Sequence, residues 1–487
     1  MVQFFNRERE MAELDAFLER EGAQLVGVYG RRRVGKTTLL TTWAAQTGLP
    51  VLYWVAKHDP KQALMASLAQ TIWAWERAGE PGEISIQPRS WEDVFQMMAR
   101  AIGNRRVIVI LDELPYALQQ DRGFASHIQA AWDHLFKDSN VLLFLSGSHI
   151  GMMVDLLTYQ APLYGRFTAQ LPLLPLSFPD ISDFLPRYDV DKRLAVYAIL
   201  GGIPAYLERW DDGETIAANV QRLFLQRTGW FRNEPLVLIS DLTRRESTSF
   251  EAILRALAAG NHTREDIAAA SAMPSPSLRH YLPRLIELNL VERRIPATVP
   301  LEQRRTSKLS RYYLSDPYLR FYYRFIDPNL HLIEQGLVAR LWHTMEGHFR
   351  AFVALTFEEL CRTWTLAQAK ANRLPFAPDV VGSHWATDVQ VDVVAIAWRE
   401  KCILLGECKW GMEDIGRSVV RELVEEKTPR VLAALSDGGE GWAVHHVFFA
   451  RTGFTQAARA EAARHSAILV DLATLDRDLR QADQISD

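Results

Sequence analysis

Gly30-Arg31-Arg32-Arg33-Val34-Gly35-Lys36-Thr37-Thr38 is the stretch that orders the rest of the chain. It fits the pattern GxxxxGK[ST] and lies between an apolar run, Gln24–Tyr29, and a helical pattern beginning near Lys36. Gly30 and Gly35 let phosphate oxygens approach the backbone, where the loop N–H groups and the helix amino terminus surround them. Lys36 reaches the β- and γ-phosphates, Thr37 ligates Mg²⁺, and Thr38 stands beside it in the first helical turn as a further nucleotide-binding residue. The expected ligands are ATP and Mg²⁺.

Working outward, residues 107–111, VIVIL, run into Asp112-Glu113. An apolar strand closed by two acids supplies what a phosphate loop lacks: Asp112 to hold Mg²⁺ through water, and Glu113 to polarise the attacking water. Val51–Val55 and residues 141–145 are similar near-continuous apolar runs, which a parallel sheet covered on both faces requires. A strand between the two motifs, with an acid beside Asp112, points to the P-loop class that includes AAA and RecA-like enzymes. Run 141–145 leads into Ser146-Gly147-Ser148, which places Ser148 as a sensor of the γ-phosphate. Arg166, in Pro162-Leu163-Tyr164-Gly165-Arg166, is a candidate arginine finger, in cis or from a neighbouring subunit of a homo-oligomer. An ordinary exposed arginine is the competing reading.

The 487 residues allow roughly three domains at about 150 residues each. A hydrophobic content of 48% without low-complexity tracts excludes disorder, and three unpatterned cysteines, Cys361, Cys402 and Cys408, make no disulfide scaffold. No apolar run approaches the about 18 residues that span a bilayer, and the opening residues are charged and helix-like. The expectation is a cytoplasmic protein without a membrane partner. A net charge of −4 gives no global sign of nucleic-acid binding, so that reading must rest on local features. Composition divides the chain into an α/β ATPase domain (1–175), a helical segment (176–244) broken at Gly201-Gly202-Ile203-Pro204, a three-helix segment (245–315), a linker (316–345) and a second α/β domain (346–487).

In the three-helix segment a helix over 250–259 is stopped by Gly260. Thr263 followed by Arg264-Glu265-Asp266 makes a capping-box start for a second helix. Ser275-Pro276 opens a third, in which Leu278, Leu282, Leu285 and Leu288 share a face. Residues 290–294 and 311–314 then pair as a wing, giving a winged helix-turn-helix whose third helix enters a major groove. From Arg244 to Arg311 there are 12 Lys/Arg and 7 Asp/Glu, so this stretch carries +5 and the rest −9. Arg279, His280 and Arg284 fall on the third helix, and Arg304, Arg305 and Lys308 in the wing loop. Pro283 disagrees, since proline inside a helix costs roughly 3 kcal/mol unless the helix kinks. A protein-contact role competes with DNA contact.

In the last domain, residues 389–398 and 401–410 read as a hairpin. A turn centred between Arg399 and Glu400 puts Asp392 directly opposite Glu407, with Lys409 on the same face. Two acids and a lysine on otherwise apolar strands are costly, which argues for a purpose. Asp392 and Glu407 can share a divalent metal, Mg²⁺ or Mn²⁺, for attack on a phosphodiester while Lys409 orients water. A salt-bridged cluster on a solvated hairpin is the competing reading. A helix before the hairpin carries Glu358 and Glu359. After it come a helix over 414–427 and strands over 431–435, 444–450 and 467–472.

GRRRVGKTT, VIVILDE, PLYGR and GGIPAYL resemble the archaeal-type ATPases of the STAND/AAA-like P-loop group. VQVDVVAI and LLGECKWG, preceded by the helix glutamate, resemble the PD-(D/E)XK restriction-endonuclease-like domain that closes many of them. The resemblance implies an α/β fold: a RecA/AAA-like P-loop sheet, a helical lid, a winged helix and a PD-(D/E)XK nuclease-like domain. It implies a nuclease site of Glu358, Asp392, Glu407 and Lys409. Pro283 departs from the pattern, as does Val391-Asp392 where a literal Pro-Asp would stand. The leading expectation is a Mg²⁺-dependent ATPase that binds DNA and controls a metal-dependent nuclease, in genome defence or mobile-element processing. The alternatives are a STAND-type nucleotide switch and an ATPase-linked transcription regulator with a non-cleaving last domain.

Overall fold

The computed structural model describes residues 6–77, 86–243 and 247–485. They form two compact units, the first running to Leu176 and including Ile203–Tyr206, the second comprising Ser177–Gly202 and the chain from Leu207 onward. The expected junction at 244/245 lies outside the described residues.

The first unit is built on a five-stranded parallel sheet of β1 (Gln24–Tyr29), β2 (Val51–Val55), β3 (Val107–Asp112), β4 (Val141–Gly147) and β5 (Ala169–Pro172), in the order β2-β3-β4-β1-β5. β3 and β4 are buried along their whole length, as their unbroken apolar runs require. One consequence of the order is that β4 separates β1, which feeds the phosphate loop, from β3, which carries the acids. The short β5 has one buried residue in four and left no apolar run to read in the sequence.

In the second unit three helices, Ser247–Ala258, Arg264–Ser271 and Leu278–Glu287, precede an antiparallel pair, β6 (Val291–Arg294) and β7 (Arg311–Leu314). Thr263 caps the second helix by accepting from the Asp266 N–H at 3.2 Å. Leu278, Leu282, Leu285 and Leu288 are all buried on one face of the third. This helix begins after a 3-10 turn, Ser275–Ser277, without a side-chain cap, and it continues through Pro283. A third backbone partner extends the pair, with the Tyr312 N–H donating to the His262 carbonyl at 2.8 Å.

The expected linker, 316–345, is instead helical. Pro317–Phe321 starts on an Asp316 cap, and Tyr318, Leu319, Phe321 and Tyr322 are buried aromatic and aliphatic packing rather than solvated chain. The long helix Val338–Lys370 thus begins eight residues before the expected boundary. The last sheet holds β8 (Val380–Trp385), β9 (Gln390–Ala397), β10 (Cys402–Lys409), β11 (Ala443–Ala450) and β12 (Ile468–Asp471), ordered β12-β11-β10-β9-β8. β8, β9 and β10 run antiparallel to their neighbours, while β10, β11 and β12 are mutually parallel. The strand expected at 431–435 is a correction: the helical run that begins at Arg417 continues through Pro429 to Ala433 and buries Val431. No helix of the described residues is long and apolar enough to cross a membrane.

Candidate functional site

The phosphate loop is shaped by two glycines for different reasons. A Cβ on Gly30 would lie 2.2 Å from the Leu173 carbonyl, because the chain beside β5 closes onto the loop there. Gly35 has φ +100, a conformation other residues rarely adopt, and it delivers the chain into the helix Lys36–Gln46. Lys36 is 4% exposed and donates to the carbonyls of Gly30 and Arg31 at 3.0 and 3.2 Å. Burial lowers its pKa, against the attraction of Glu113 and Asp112. Thr38 lies in the first turn beside Thr37.

Across β4, Thr37 Oγ1 donates to Asp112 Oδ2 at 2.6 Å, so the two residues expected at a metal are brought together. The Tyr53 hydroxyl donates to the same carboxylate oxygen at 3.2 Å, and burial together with Asp112 pushes that phenol well above its ordinary value. Glu113 takes a left-handed conformation, φ 50 and ψ 40, with its N–H on Asp112 Oδ1 at 2.9 Å. Ser148 reaches it from the end of β4: its hydroxyl donates to Glu113 Oε2 at 2.6 Å and its N–H at 3.3 Å. Arg166 is not brought into this group. Asp133 holds its guanidinium through Nε and Nη2, and the carbonyls of Pro162 and Tyr164 take Nη1.

Sequence reasoning missed three supports of the loop. Tyr53 is one; Arg7 Nη2 donates to the carbonyls of Val34 and Leu174, and Arg31 Nη2 donates to the Tyr206 hydroxyl at 3.1 Å. The GGIPAYL motif held the Tyr206 signal, without saying what the tyrosine touches.

Residues 4–210 match a family described as an ATPase domain predominantly from Archaea. The first unit is a P-loop ATPase domain. Residues 322–421 match a second family, described as archaeal and bacterial proteins of unknown function. The chain is 29% identical over 415 residues to the uncharacterized protein MJECL04 of Methanocaldococcus jannaschii, covering 84% of this chain and 87% of that one. Among solved structures, the Walker-type ATPase of Pyrococcus abyssi is 22% identical with a TM-score of 0.47, covering 66% of this chain and 96% of its own. The Aeropyrum pernix ORC2 protein is 17% identical with a TM-score of 0.42, covering 71% and 96% respectively.

The second cluster lies in the last sheet. β9 and β10 pair in the expected register, with Gly406 opposite Val393, so Asp392 and Glu407 follow as the next opposed pair. Asp392 Oδ2 accepts the Cys408 N–H at 3.0 Å. Glu407 is 4% exposed and gives one oxygen to Lys409 at 2.7 Å and the other to Lys427 at 2.8 Å. Burial and the charge of Glu407 raise Asp392 to about 6; burial and the charge of Asp392 raise Glu358 to about 7. Burial alone would lower Lys409, but its bond to Glu407 outweighs this and raises it. Among the described residues neither Asp392 nor Glu358 forms an ion pair, and no three His, Cys, Asp or Glu side chains are grouped so as to hold a metal ion in this conformation. Lys427 and Arg362, whose Nη1 donates to the Asp392 carbonyl at 3.1 Å, are the cluster members the sequence did not reveal.

Glu359, the neighbour of Glu358, faces elsewhere. It binds Arg320 at 2.7 Å and Arg294 of β6 at 2.9 Å, and these cations overcome burial to hold it at about 2. Much of the basic charge of the three-helix segment is engaged in this way. Arg255 pairs with Asp327, Arg284 with Glu287, Arg293 and Arg304 bind wing-loop carbonyls, and Arg311 lies over Trp385. Arg279 on the third helix and Arg305 and Lys308 in the wing loop are exposed.

Proposed function

We propose that the chain is a Mg²⁺-dependent ATPase whose nucleotide state controls a DNA-binding, DNA-cleaving C-terminal half. Lys36 and the loop N–H groups would hold the phosphates, Thr37 and Asp112 the metal, and Glu113 the attacking water. A hydroxyl and a carboxylate 2.6 Å apart are a hard-oxygen donor set suited to Mg²⁺. The observation that carries the nuclease half is a pair of carboxylates, Asp392 and Glu358, without ion pairs and beside a third, Glu407, with a mutual repulsion that Lys409, Lys427 and Arg362 offset only in part. Carboxylates are hard-oxygen donors suited to a divalent cation, which would neutralise developing charge on a phosphodiester once these side chains close around it. Lys409 would orient water there. The three helices with the β6–β7 pair read as a winged helix, with Arg279, Arg305 and Lys308 free to meet phosphates.

The test is incubation of the full chain with single- and double-stranded DNA and RNA in Mg²⁺ or Mn²⁺, with and without ATP. Cleavage that disappears in Asp392→Asn and Lys409→Ala is expected; if every nucleic acid survives, the nuclease half is wrong. One observation favours a second reading, a nucleotide switch that does not cut: both oxygens of Glu407 are occupied by lysines. It predicts slow turnover, retained ADP and an effect of Asp392→Asn on stability alone.

A further inference from the structure

A carboxylate offers roughly four lone-pair sites, two on each oxygen. On Asp112 Oδ2 the Thr37 hydroxyl stands at 2.6 Å and the Tyr53 hydroxyl at 3.2 Å, and on Oδ1 the Glu113 N–H stands at 2.9 Å. Among the described residues these donors leave one site, on Oδ1, for a further partner. Two of the three come with the motifs themselves, since Thr37 belongs to the phosphate loop and Glu113 follows Asp112 in the chain. Tyr53 belongs to neither motif.

The sheet explains how it arrives. β2 and β3 are parallel, with Tyr53 beside Ile110 and Val55 beside Asp112. Alternate residues of a strand share a face, so Tyr53, Val55, Ile110 and Asp112 lie on one side of the sheet. Leu52 and Trp54 turn to the other side and are buried there. Val55 is the nearer neighbour of Asp112 but carries no donor. A side chain from two residues back must be long, and tyrosine spans that distance on a rigid ring with only two χ angles to order. Burial and the charge of Asp112 hold the phenol well above its ordinary value, so it stays protonated and donating at neutral and alkaline pH.

The partners that orient a metal's ligands set its affinity without touching it. We propose that Tyr53 is a positioning residue of the nucleotide site, fixing the Asp112 carboxylate in the orientation in which it serves Mg²⁺. This rests on the Mg²⁺ reading of Thr37 and Asp112 above and extends it to a residue outside both motifs.

Tyr53→Phe removes the hydroxyl and keeps the ring. The dissociation constant of a fluorescent ADP analogue, which is not turned over, is measured by anisotropy on the full chain, in EDTA and across a Mg²⁺ series. Outer-shell partners of a metal ligand are worth about 10- to 100-fold in metal affinity. Because 3.2 Å is long for a hydroxyl donor, the lower end applies: Tyr53→Phe should need about tenfold more Mg²⁺ for half its effect, with the constant in EDTA unchanged. A similar loss of affinity in EDTA overturns the proposal, because a tyrosine that merely supports the loop would weaken metal-free binding too. If the wild type responds to Mg²⁺ and Tyr53→Phe responds at the same concentration, the Mg²⁺ reading stands and the role of Tyr53 falls alone. If the wild type binds the analogue equally well with and without Mg²⁺, the Mg²⁺ reading itself has failed and takes the role of Tyr53 with it.

Discussion

Glu113 has little freedom. Its backbone is in the left-handed region, its N–H is taken by Asp112, and its carboxylate is held by the Ser148 hydroxyl. If Glu113 is the general base, this bond from Ser148 would orient its carboxylate toward the attacking water, which makes Ser148 a positioning residue for Glu113. Ser148→Ala is expected to lower kcat by about 10- to 100-fold, within the range of general-base contributions, with nucleotide Kd unchanged. Ser148→Thr, which keeps the hydroxyl, should restore most of the rate. Loss of nucleotide affinity at unchanged kcat would instead place Ser148 on the phosphate. The sequence made Ser148 visible as a polar residue at a strand end. Its partner was not, because the left-handed turn that swings Glu113 toward β4 leaves no mark in a pattern of apolar residues.

At the scale of elements, β11 and the helix Thr428–Ala433 meet through His446. The Thr428 hydroxyl donates to the Leu423 carbonyl at 2.7 Å, so His446 Nε2, 3.0 Å away, is the donor to Thr428. Burial, with the charges of His465 and His445, depresses His446 to about 4. Because this lies below the ordinary value near 6.5, the unfolded chain takes up the proton first as pH falls. The stability it contributes is therefore present above about pH 6.5 and lost progressively toward about pH 4, to a total of about 2–3 kcal/mol. Denaturant midpoints measured across that window should show the loss, and His446→Leu should flatten it. An equal slope in both proteins would remove His446 as the cause.

The same scale explains what the sequence did not reveal. Apolar runs identified β1 to β4: β1, β3 and β4 are buried along nearly all of their length, and β2 is buried at alternate residues. β8 was missed because Val380–Trp385, VVGSHW, is half polar and mostly intermediate in burial. Residues 431–435 were misread because an apolar run of four or five residues serves a strand or a helix equally, and here the helical run from Arg417 carries on into it. Pro283 counted against the third helix, yet the helix continues through it, with buried leucines on both sides.

On the scale of the whole molecule, long-range charge pairs carry what local pattern cannot. Successive residues of a helix point about 100° apart, so Glu358 and Glu359 serve different neighbours from one place on the chain. Glu359→Gln would leave the buried Arg320 without its counter-ion and Arg294 with Glu292 alone, and thermal unfolding should show a loss of about 3 kcal/mol. A loss below about 1 kcal/mol would mean that the arginines repack freely. Of the cations behind the +5 of the three-helix segment, read from sequence as a nucleic-acid surface, Arg255, Arg284 and Arg294 are in ion pairs, Arg264, Arg293 and Arg304 bond a hydroxyl or carbonyls, and Arg311 lies over Trp385. Three exposed cations, Arg279, Arg305 and Lys308, are what remains among the described residues for a phosphate backbone.

The chain crosses between the two units after Leu176, after Gly202 and after Tyr206. Tyr206, which braces Arg31 of the phosphate loop, is thus delivered by a four-residue loan from a stretch that otherwise belongs to the other unit. A protease cut after Leu176 would leave a fragment with every residue proposed to bind nucleotide and without that brace. The two halves are therefore not interchangeable parts: swapping the second unit for a relative's would also swap a piece of the first.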